Sequence, residues 1–525
     1  MIMIRNMQIG KYILDKQQEE IVRNEDNYLL VTAGAGSGKT LTILGKISYL
    51  VKEKKISENE ILCISFTKSS AESLKQKIKQ ELILEVPTYT FHKLSLEIIK
   101  EEYKNYEIAS DSLLEDIVNE FFEIDIYHNP NLLMIICKYF KEKTKKKELA
   151  YQKIMETKKN EIFKLKQLSI TFIKLMKCNN YNLNDFLLFL SKIKKSLNYV
   201  RYKKEKTILT LILNIYLKYE NYLKENKEID FDDMLLTAIK KVKEVGMKKQ
   251  LKYIIIDEYQ DTSYIRFQLI KEIIKKTNAK LMVVGDDFQS IYKFTGCDIS
   301  LFLNFKNYFE DAKIMKIEKT YRNSNELIQI AGAFIMKNKK QIKKKLYSEK
   351  HLTRPIKILK YKNIRKIFLE IIKELAKKKE QKILILGRNN KDINLLLNDD
   401  IRKTNQDKIK IKEYEYLDIT YMTVHKSKGL EYDNVILINL DNKITGFPSQ
   451  LPEEKLTRLV TRTKDTYPYS EERRLFYVAL TRTKNYVYLL VPKKSPSIFI
   501  EELENIMNYL EKENNFFKSL GVFNK

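Results

Sequence analysis

The octapeptide Ala33-Gly34-Ala35-Gly36-Ser37-Gly38-Lys39-Thr40 constrains this chain more than any other stretch. It fits G-x-x-x-x-G-K-[ST], with Ala33 in the first glycine position. It also follows an apolar run at 28–32 and opens a helical pattern, which is the setting in which such a loop works. Small residues let successive backbone N–H groups turn inward around phosphates, and the helix N-terminus adds partial positive charge. Lys39 is then placed to reach β- and γ-phosphates and Thr40 to bind Mg²⁺. A chain built around this loop needs a parallel α/β sheet behind it.

Apolar runs of the kind found in buried parallel strands recur at 28–32, 61–66, 253–257, 281–285, 383–387, 434–439 and 486–491, mostly alternating with helical spacing. Four precede residue 290 and three follow 380, which predicts two doubly wound sheets. The 253–257 run ends in Asp257-Glu258, two carboxylates at a C-terminal sheet edge, where α/β folds hold ligands. Asp257 is expected to hold Mg²⁺ through water and Glu258 to act as base or orienter for an attacking water. Residues 95–228 carry no strong strand but repeated helical spacing. Ser112-x-x-Glu115, a capping-box signature followed by Ile117, Phe121 and Ile124, is one instance. This stretch reads as an inserted helical subdomain.

A chain of 525 residues exceeds one compact core, and 44% hydrophobic residues exclude a disordered one. Lys+Arg number 97 against 69 Asp+Glu, and the net charge of +28 favours a polyanionic partner, nucleic acid first. A lysine-rich codon bias would produce the same excess without any partner. The lysine-rich runs at 141–147, 337–345 and 377–379 read as solvated helix faces. Cys63, Cys137, Cys178 and Cys297 form no CxxC pair, so neither a zinc site nor a disulfide framework is indicated. The first twenty residues hold no uninterrupted apolar run of membrane length, so a soluble cytoplasmic protein without a membrane partner is expected.

At Asp257-Glu258-Tyr259-Gln260-Asp261-Thr262 the sequence resembles the UvrD/PcrA/Rep family of superfamily 1A helicases, and further signatures follow in the family's order between residues 14 and 491. They are Leu14-Asp15-Lys16-Gln17-Gln18, Phe66-Thr67, Thr90-Phe91-His92, Asp230-Phe231-Asp232-Asp233, the run from Val284 through Gln289 to Tyr292, Thr320-Tyr321-Arg322, the run from Thr423 to Glu431, and the run from Arg473 to Thr483. Phe294-Thr295 stands where the family usually has Trp-Arg, a helicase IV-like feature, and Leu41 replaces an arginine that would cover one face of the adenine.

The resemblance implies an α/β chain of two RecA-like P-loop NTPase domains with an inserted helical subdomain. Residues 1–94 and 229–315 would form domain 1A, 95–228 the helical subdomain 1B, and 316–525 domain 2A. Too few positions separate Arg322 from Thr423 for a full subdomain 2B, which is expected to be vestigial or absent.

It further implies an ATP-dependent 3′–5′ translocase and DNA helicase, using ATP and Mg²⁺ and acting on single-stranded and tailed duplex DNA in repair, replication restart or defence. Lys39, Asp257, Glu258, Gln289, Arg322 and Arg482 would be catalytic, with Gln289 as γ-phosphate sensor and the two arginines reaching in from domain 2A. Gln18 would read the adenine edge, Tyr321 would stack on the ring, and Glu431 would lie near the ribose. Phe66, Thr67, Thr90, His92, Tyr292, Phe294 and His425 would hold the strand, aromatics on bases and polar groups on phosphates.

A second reading is a strand-sensing ATPase subunit of an anti-phage defence complex of the Gabija kind. It would have a separate nuclease as partner, because no nuclease cluster follows Val491. A basic RNA-binding scaffold with a dead ATP site conflicts with the complete catalytic set.

Overall fold

The computed structural model describes residues 7–100, 104–142, 144–192, 199–378, 380–451, 454–462 and 465–519. Its first sheet has six parallel strands in the order Lys313–Ile317, Tyr28–Ala33, Lys280–Gly285, Tyr253–Ile256, Ile61–Ser65, Thr88–Thr90. Side chains alternate between two buried faces. Leu30, Ile64, Ile254, Ile256 and Val283 enter one core with the helices Phe231–Val245 and Tyr264–Thr277. Leu29, Val31, Cys63, Ile255 and Val284 enter the other, beneath the helices Lys39–Lys52 and Lys68–Leu82. Burial on both faces is why these strands read as unbroken apolar runs.

The second sheet has five parallel strands in the order Ile356–Tyr361, Thr483–Pro492, Tyr432–Leu437, Lys382–Gly387, Asp418–Thr423. All seven expected runs are strands, and every one lies inside a sheet. The stretch between Arg322 and Thr423 supplies the helices Asn325–Ile335 and Ile364–Leu375, strands of this sheet, and a hairpin pairing Ile401–Lys403 with Ile409–Ile411.

A third body is helical. It comprises Leu113–Glu120, Pro130–Tyr139, Lys147–Thr157, Lys159–Cys178, Leu183–Lys192 and Tyr199–Glu225, which share one core. Where it joins the first sheet, Lys177 Nζ pairs with Glu220 at 2.8 Å, Asp230 at 2.7 Å and Asp233 at 2.8 Å. Ser112 does not form the expected capping box. Its backbone is already helical, at φ −88° and ψ −13°, and its hydroxyl donates to Asp116 instead.

The expectation for the lysine-rich runs is also corrected. Residues 341–346 are irregular rather than helical, and the Lys344 side chain is fully buried. At 377–378 the helix ending at Leu375 has already stopped, and the run at 141–147 reaches only the first residue of the helix Lys147–Thr157. Lys143 and Lys379 lie outside the described residues.

The helical body is completed from a distance. The turn of helix Lys455–Leu459, in the connection between two strands of the second sheet, sends Leu456 and Val460 into the helical core. Asn179 Nδ2 donates to Val460 O at 3.0 Å, and Arg462 donates twice to Asn179 O, at 3.1 and 2.9 Å, while its guanidinium lies 3.6 Å from the Tyr264 ring centroid. Val460→Ala should lower unfolding free energy by roughly 2 kcal/mol through lost burial and a residual cavity. Urea denaturation followed by far-ultraviolet dichroism would read it, and an unchanged midpoint would mean the clasp contributes no stability.

Candidate nucleotide and strand-binding sites

The phosphate loop leaves the C-terminal end of Tyr28–Ala33 and closes on Gly38, whose φ of 80° is the left-handed conformation that glycine adopts without steric cost. Helix Lys39–Lys52 then begins, with Thr40 in its first turn. The loop is braced by the chain entering the second body: Thr320 Oγ1 donates to Ala35 O at 2.6 Å and Tyr321 N to Gly36 O at 2.9 Å. At Gly36 an added Cβ would sit 2.5 Å from Arg322 Cβ, so only glycine permits this approach. Gln18 Nε2 donates to Ser37 O at 3.2 Å, and Tyr321, 53% exposed, donates its hydroxyl to Asp15 at 2.8 Å. Gln18 and Tyr321 therefore flank the loop on one side.

Strand Tyr253–Ile256 delivers Asp257 and Glu258 beside the loop. Glu258 has φ 52°, an uncommon conformation for a residue with a Cβ, and it turns the carboxylate back toward Lys39. Lys39 Nζ pairs with Glu258 Oε1 at 3.0 Å, and Gln260 Nε2 donates to Oε2 at 2.5 Å. Burial alone would raise the Glu258 carboxyl, but Lys39 and Lys428 outweigh it and hold it well below the usual carboxylate range. Burial, and then the neighbouring Glu258 charge, push Asp257 up.

From the second body, Arg482 reaches the same place and is 1% exposed. It donates from Nε to Val478 O at 3.1 Å, from Nη1 to Leu430 O at 3.3 Å and from Nη2 to Gln289 Oε1 at 2.9 Å. Burial and then nearby Arg322 push its pKa down to about 9, which leaves the guanidinium charged at neutral pH. Arg322 is held by Glu431, Nε to Oε2 at 3.0 Å. The structure thus gathers Lys39, Asp257, Glu258, Gln289 and Arg482 at the C-terminal ends of the first sheet's strands, with Arg322 and Glu431 at the rim.

A second group lies along the joint between the bodies. The Phe66 and Tyr292 rings are nearly parallel at 7°, with centroids 6.0 Å apart; Tyr292 meets Phe294 edge-on at 6.1 Å, and Phe294 meets His425 at 5.6 Å. Phe294 is 59% exposed, so its ring is open to a partner. Tyr292 also spans the joint, its hydroxyl donating to His425 O at 3.2 Å. Thr67 and Thr90 are N-caps, accepting from Ser70 N and Lys93 N. Capping uses an oxygen lone pair, and two helix N-termini are thereby fixed near this row. His92 lies against Phe231, centroids 4.6 Å apart.

Both histidines are neutral at neutral pH. Burial first, then Arg266 for His92 and Arg388 for His425, lower each to about 4, so each can donate one N–H but supplies no cation. Because these folded-state values lie below the unfolded value near 6.5, their contribution to stability is complete above that pH and is lost as pH falls toward 4. Wild type should therefore lose more stability than His425→Gln between pH 6.5 and 4.5 in urea titrations. Superimposable curves would contradict the assignment.

Several residues of this arrangement have no role that the sequence alone assigns. Gln260 and Lys428 lie inside recognised signatures; Lys428 Nζ joins Asp261 at 2.5 Å and Gln289 O at 2.7 Å. Arg266, whose guanidinium lies 4.7 Å from the Phe66 ring centroid, has no local sequence signal at all.

The family model for the UvrD/REP helicase N-terminal domain matches residues 14–310, and that for the UvrD-like helicase C-terminal domain matches 393–494. DNA helicase IV of Escherichia coli (strain K12) is 28% identical over 516 residues, covering 95% of this chain and 71% of its own length. ATP-dependent DNA helicase Rep of Buchnera aphidicola subsp. Acyrthosiphon pisum is 32% identical over 382 residues, and ATP-dependent DNA helicase PcrA of Bacillus subtilis (strain 168) is 27% identical over 348. The match covers 70% and 64% of this chain but only 52% and 41% of those two proteins.

Proposed function

The chain belongs to the UvrD/REP family of DNA helicases, and on that premise we propose that it hydrolyses ATP to move 3′ to 5′ along single-stranded DNA and to open tailed duplex. The observation that carries this reading is one short segment serving both sites. Gln289, bonded to Arg482, and Tyr292 and Phe294, in the ring row, lie within six residues of one another. A change in cleft geometry at Gln289 is therefore transmitted to the rings with little slack.

In this mechanism phosphate oxygens compete for Lys39 and free Glu258 to accept a proton from water. Gln18 and Tyr321 hold the base, and Glu431 lies near the ribose. Arg482 and Arg322 stabilise charge on the transferring phosphoryl group only when the two bodies close. The donors near the loop are a hydroxyl and a carboxylate, without thiolate or imidazole, which suits a hard cation that keeps most of its other ligands as water and phosphate oxygens. Thr40 and Asp257 would hold Mg²⁺, and a cation there offsets the crowding of Asp257 against Glu258. When bound, Mg²⁺ neutralises charge on the phosphate oxygens.

Bases stack on Phe66, Tyr292 and Phe294 at about 1–3 kcal/mol each, without sequence choice. The hydroxyls of Thr67 and Thr90 and the neutral imidazoles of His92 and His425 donate to phosphates, which position the strand.

We divide the chain as domain 1A (1–94 and 229–315), subdomain 1B (95–228) and domain 2A (316–525), with 2B reduced to the hairpin between 401 and 411. That reduction favours a second reading, a strand-sensing ATPase that works with a separate nuclease in defence rather than alone in repair or replication restart.

The deciding experiment measures ATP hydrolysis with and without single-stranded DNA, alongside separation of 3′- and 5′-tailed duplexes. Stimulated hydrolysis with opening of the 3′-tailed duplex supports the helicase. Stimulated hydrolysis without opening supports the sensor, and absence of stimulation overturns both.

A further inference from the structure

The Lys344 side chain has no exposed surface, yet it sits in an irregular stretch of a chain whose lysines are mostly solvated. Its Nζ lies 2.5 Å from Asp286 Oδ1, 2.7 Å from Asp287 Oδ1 and 3.6 Å from the Phe288 ring centroid, and both carboxylates are fully buried. Three charges taken out of water in this way cost more than apolar packing of the same volume would, so stability alone does not account for them.

Asp286 is shared. While Oδ1 accepts from Lys344, Oδ2 accepts from Gln289 Nε2 at 2.6 Å, and Gln289 Oε1 then accepts from Arg482 Nη2 at 2.9 Å. An amide has one donating and one accepting end, so an acidic acceptor on one side forces its oxygen toward the guanidinium on the other. Asp286 N is itself fixed by Gln260 Oε1 at 2.9 Å, and Gln260 holds Glu258. The stretch carrying Lys344 is anchored independently: Ile342 N donates to Asp287 Oδ2 at 2.8 Å, Lys345 N donates to Glu318 Oε1 at 2.7 Å, and Leu346 packs on Gly34 of the phosphate loop, where an added Cβ would approach it to 2.7 Å.

We propose that Lys344 is a positioning residue for ATP hydrolysis, acting through Asp286 to fix the amide of Gln289 against Arg482. The inference rests on the reading of Gln289 as the residue that faces the γ-phosphate. Without the ammonium, Asp286 loses the cation that holds its carboxylate in place, and the Gln289 amide is free to rotate away from the orientation that joins the two bodies. Nucleotide affinity, set by the phosphate loop, Gln18 and Tyr321, stays as it was.

The test is a double-mutant cycle on strand-stimulated hydrolysis. Lys344→Met should lower kcat ten- to a hundredfold with KM for ATP changed less than threefold. In a Gln289→Ala background the same substitution should cost less than twofold more. Asp286→Asn, which leaves Lys344 paired with Asp287 and so spares the fold an unpaired buried charge, should reproduce both results. Thermal melting and single-strand affinity of each variant report folding separately. Equal losses in both backgrounds, or a loss carried by KM, would overturn the inference and leave Lys344 a structural ion pair. If Gln289→Ala alone leaves kcat unchanged, the underlying reading of Gln289 fails and the inference falls with it.

Discussion

Replacing Arg482 by lysine should reduce the strand-stimulated kcat by about a thousandfold, the lower end of what an arginine finger contributes to phosphoryl transfer. Lysine keeps the charge but loses the planar fork. Arg482 uses three separate nitrogens, on Val478 O, Leu430 O and Gln289 Oε1, and a single ammonium cannot span those directions. The ATP concentration at half-maximal rate should move only a few fold, because the phosphate loop lies wholly in the first body. Steady-state hydrolysis at saturating DNA checks both quantities, with urea unfolding to confirm that the buried position tolerates the change. A loss smaller than about tenfold would remove Arg482 from the transition state.

Glu258→Gln is expected to lower kcat by about 10²–10⁴-fold, the usual contribution of a positioned general base. Nucleotide binding should persist and even tighten. The Lys39 ammonium now spends itself on Glu258 at 3.0 Å, and a neutral amide there competes less well with phosphate for it. Fluorescent-nucleotide titration against single-turnover hydrolysis separates the two effects. Weakened binding with hydrolysis intact would instead make Glu258 a structural partner of Lys39.

The sequence read well wherever burial was two-sided. Strands such as Tyr253–Ile256 and Lys382–Gly387 have neighbours on both edges and helices on both faces, so nothing polar interrupts them. In the two large sheets, the four strands with no clear apolar run in sequence, Thr88–Thr90, Lys313–Ile317, Ile356–Tyr361 and Asp418–Thr423, are the outer ones. Lys313 is exposed and Lys360 reaches solvent, because one strand edge faces water, and the apolar pattern breaks accordingly.

The phosphate loop and Asp257-Glu258 were legible because the chemistry demands contiguous residues. Lys344 was not, because its meaning depends on two aspartates that are near it only in space. Ser112 shows the opposite failure, a local signature overruled by a backbone that had already turned helical.

The placing of Leu456 and Val460 inside the helical core also bears on how the chain is made. A ribosome finishes the last helix of that body, Tyr199–Glu225, long before it reaches these residues, and at typical synthesis rates the interval is roughly 10–50 s. Through that time the body must stand with two of its own core positions unfilled, offering an apolar notch beside Asn179 and Arg462's future seat to whatever else is near. Until the second sheet's connection arrives to close the notch, the nascent helical body carries an apolar surface that the finished protein does not show.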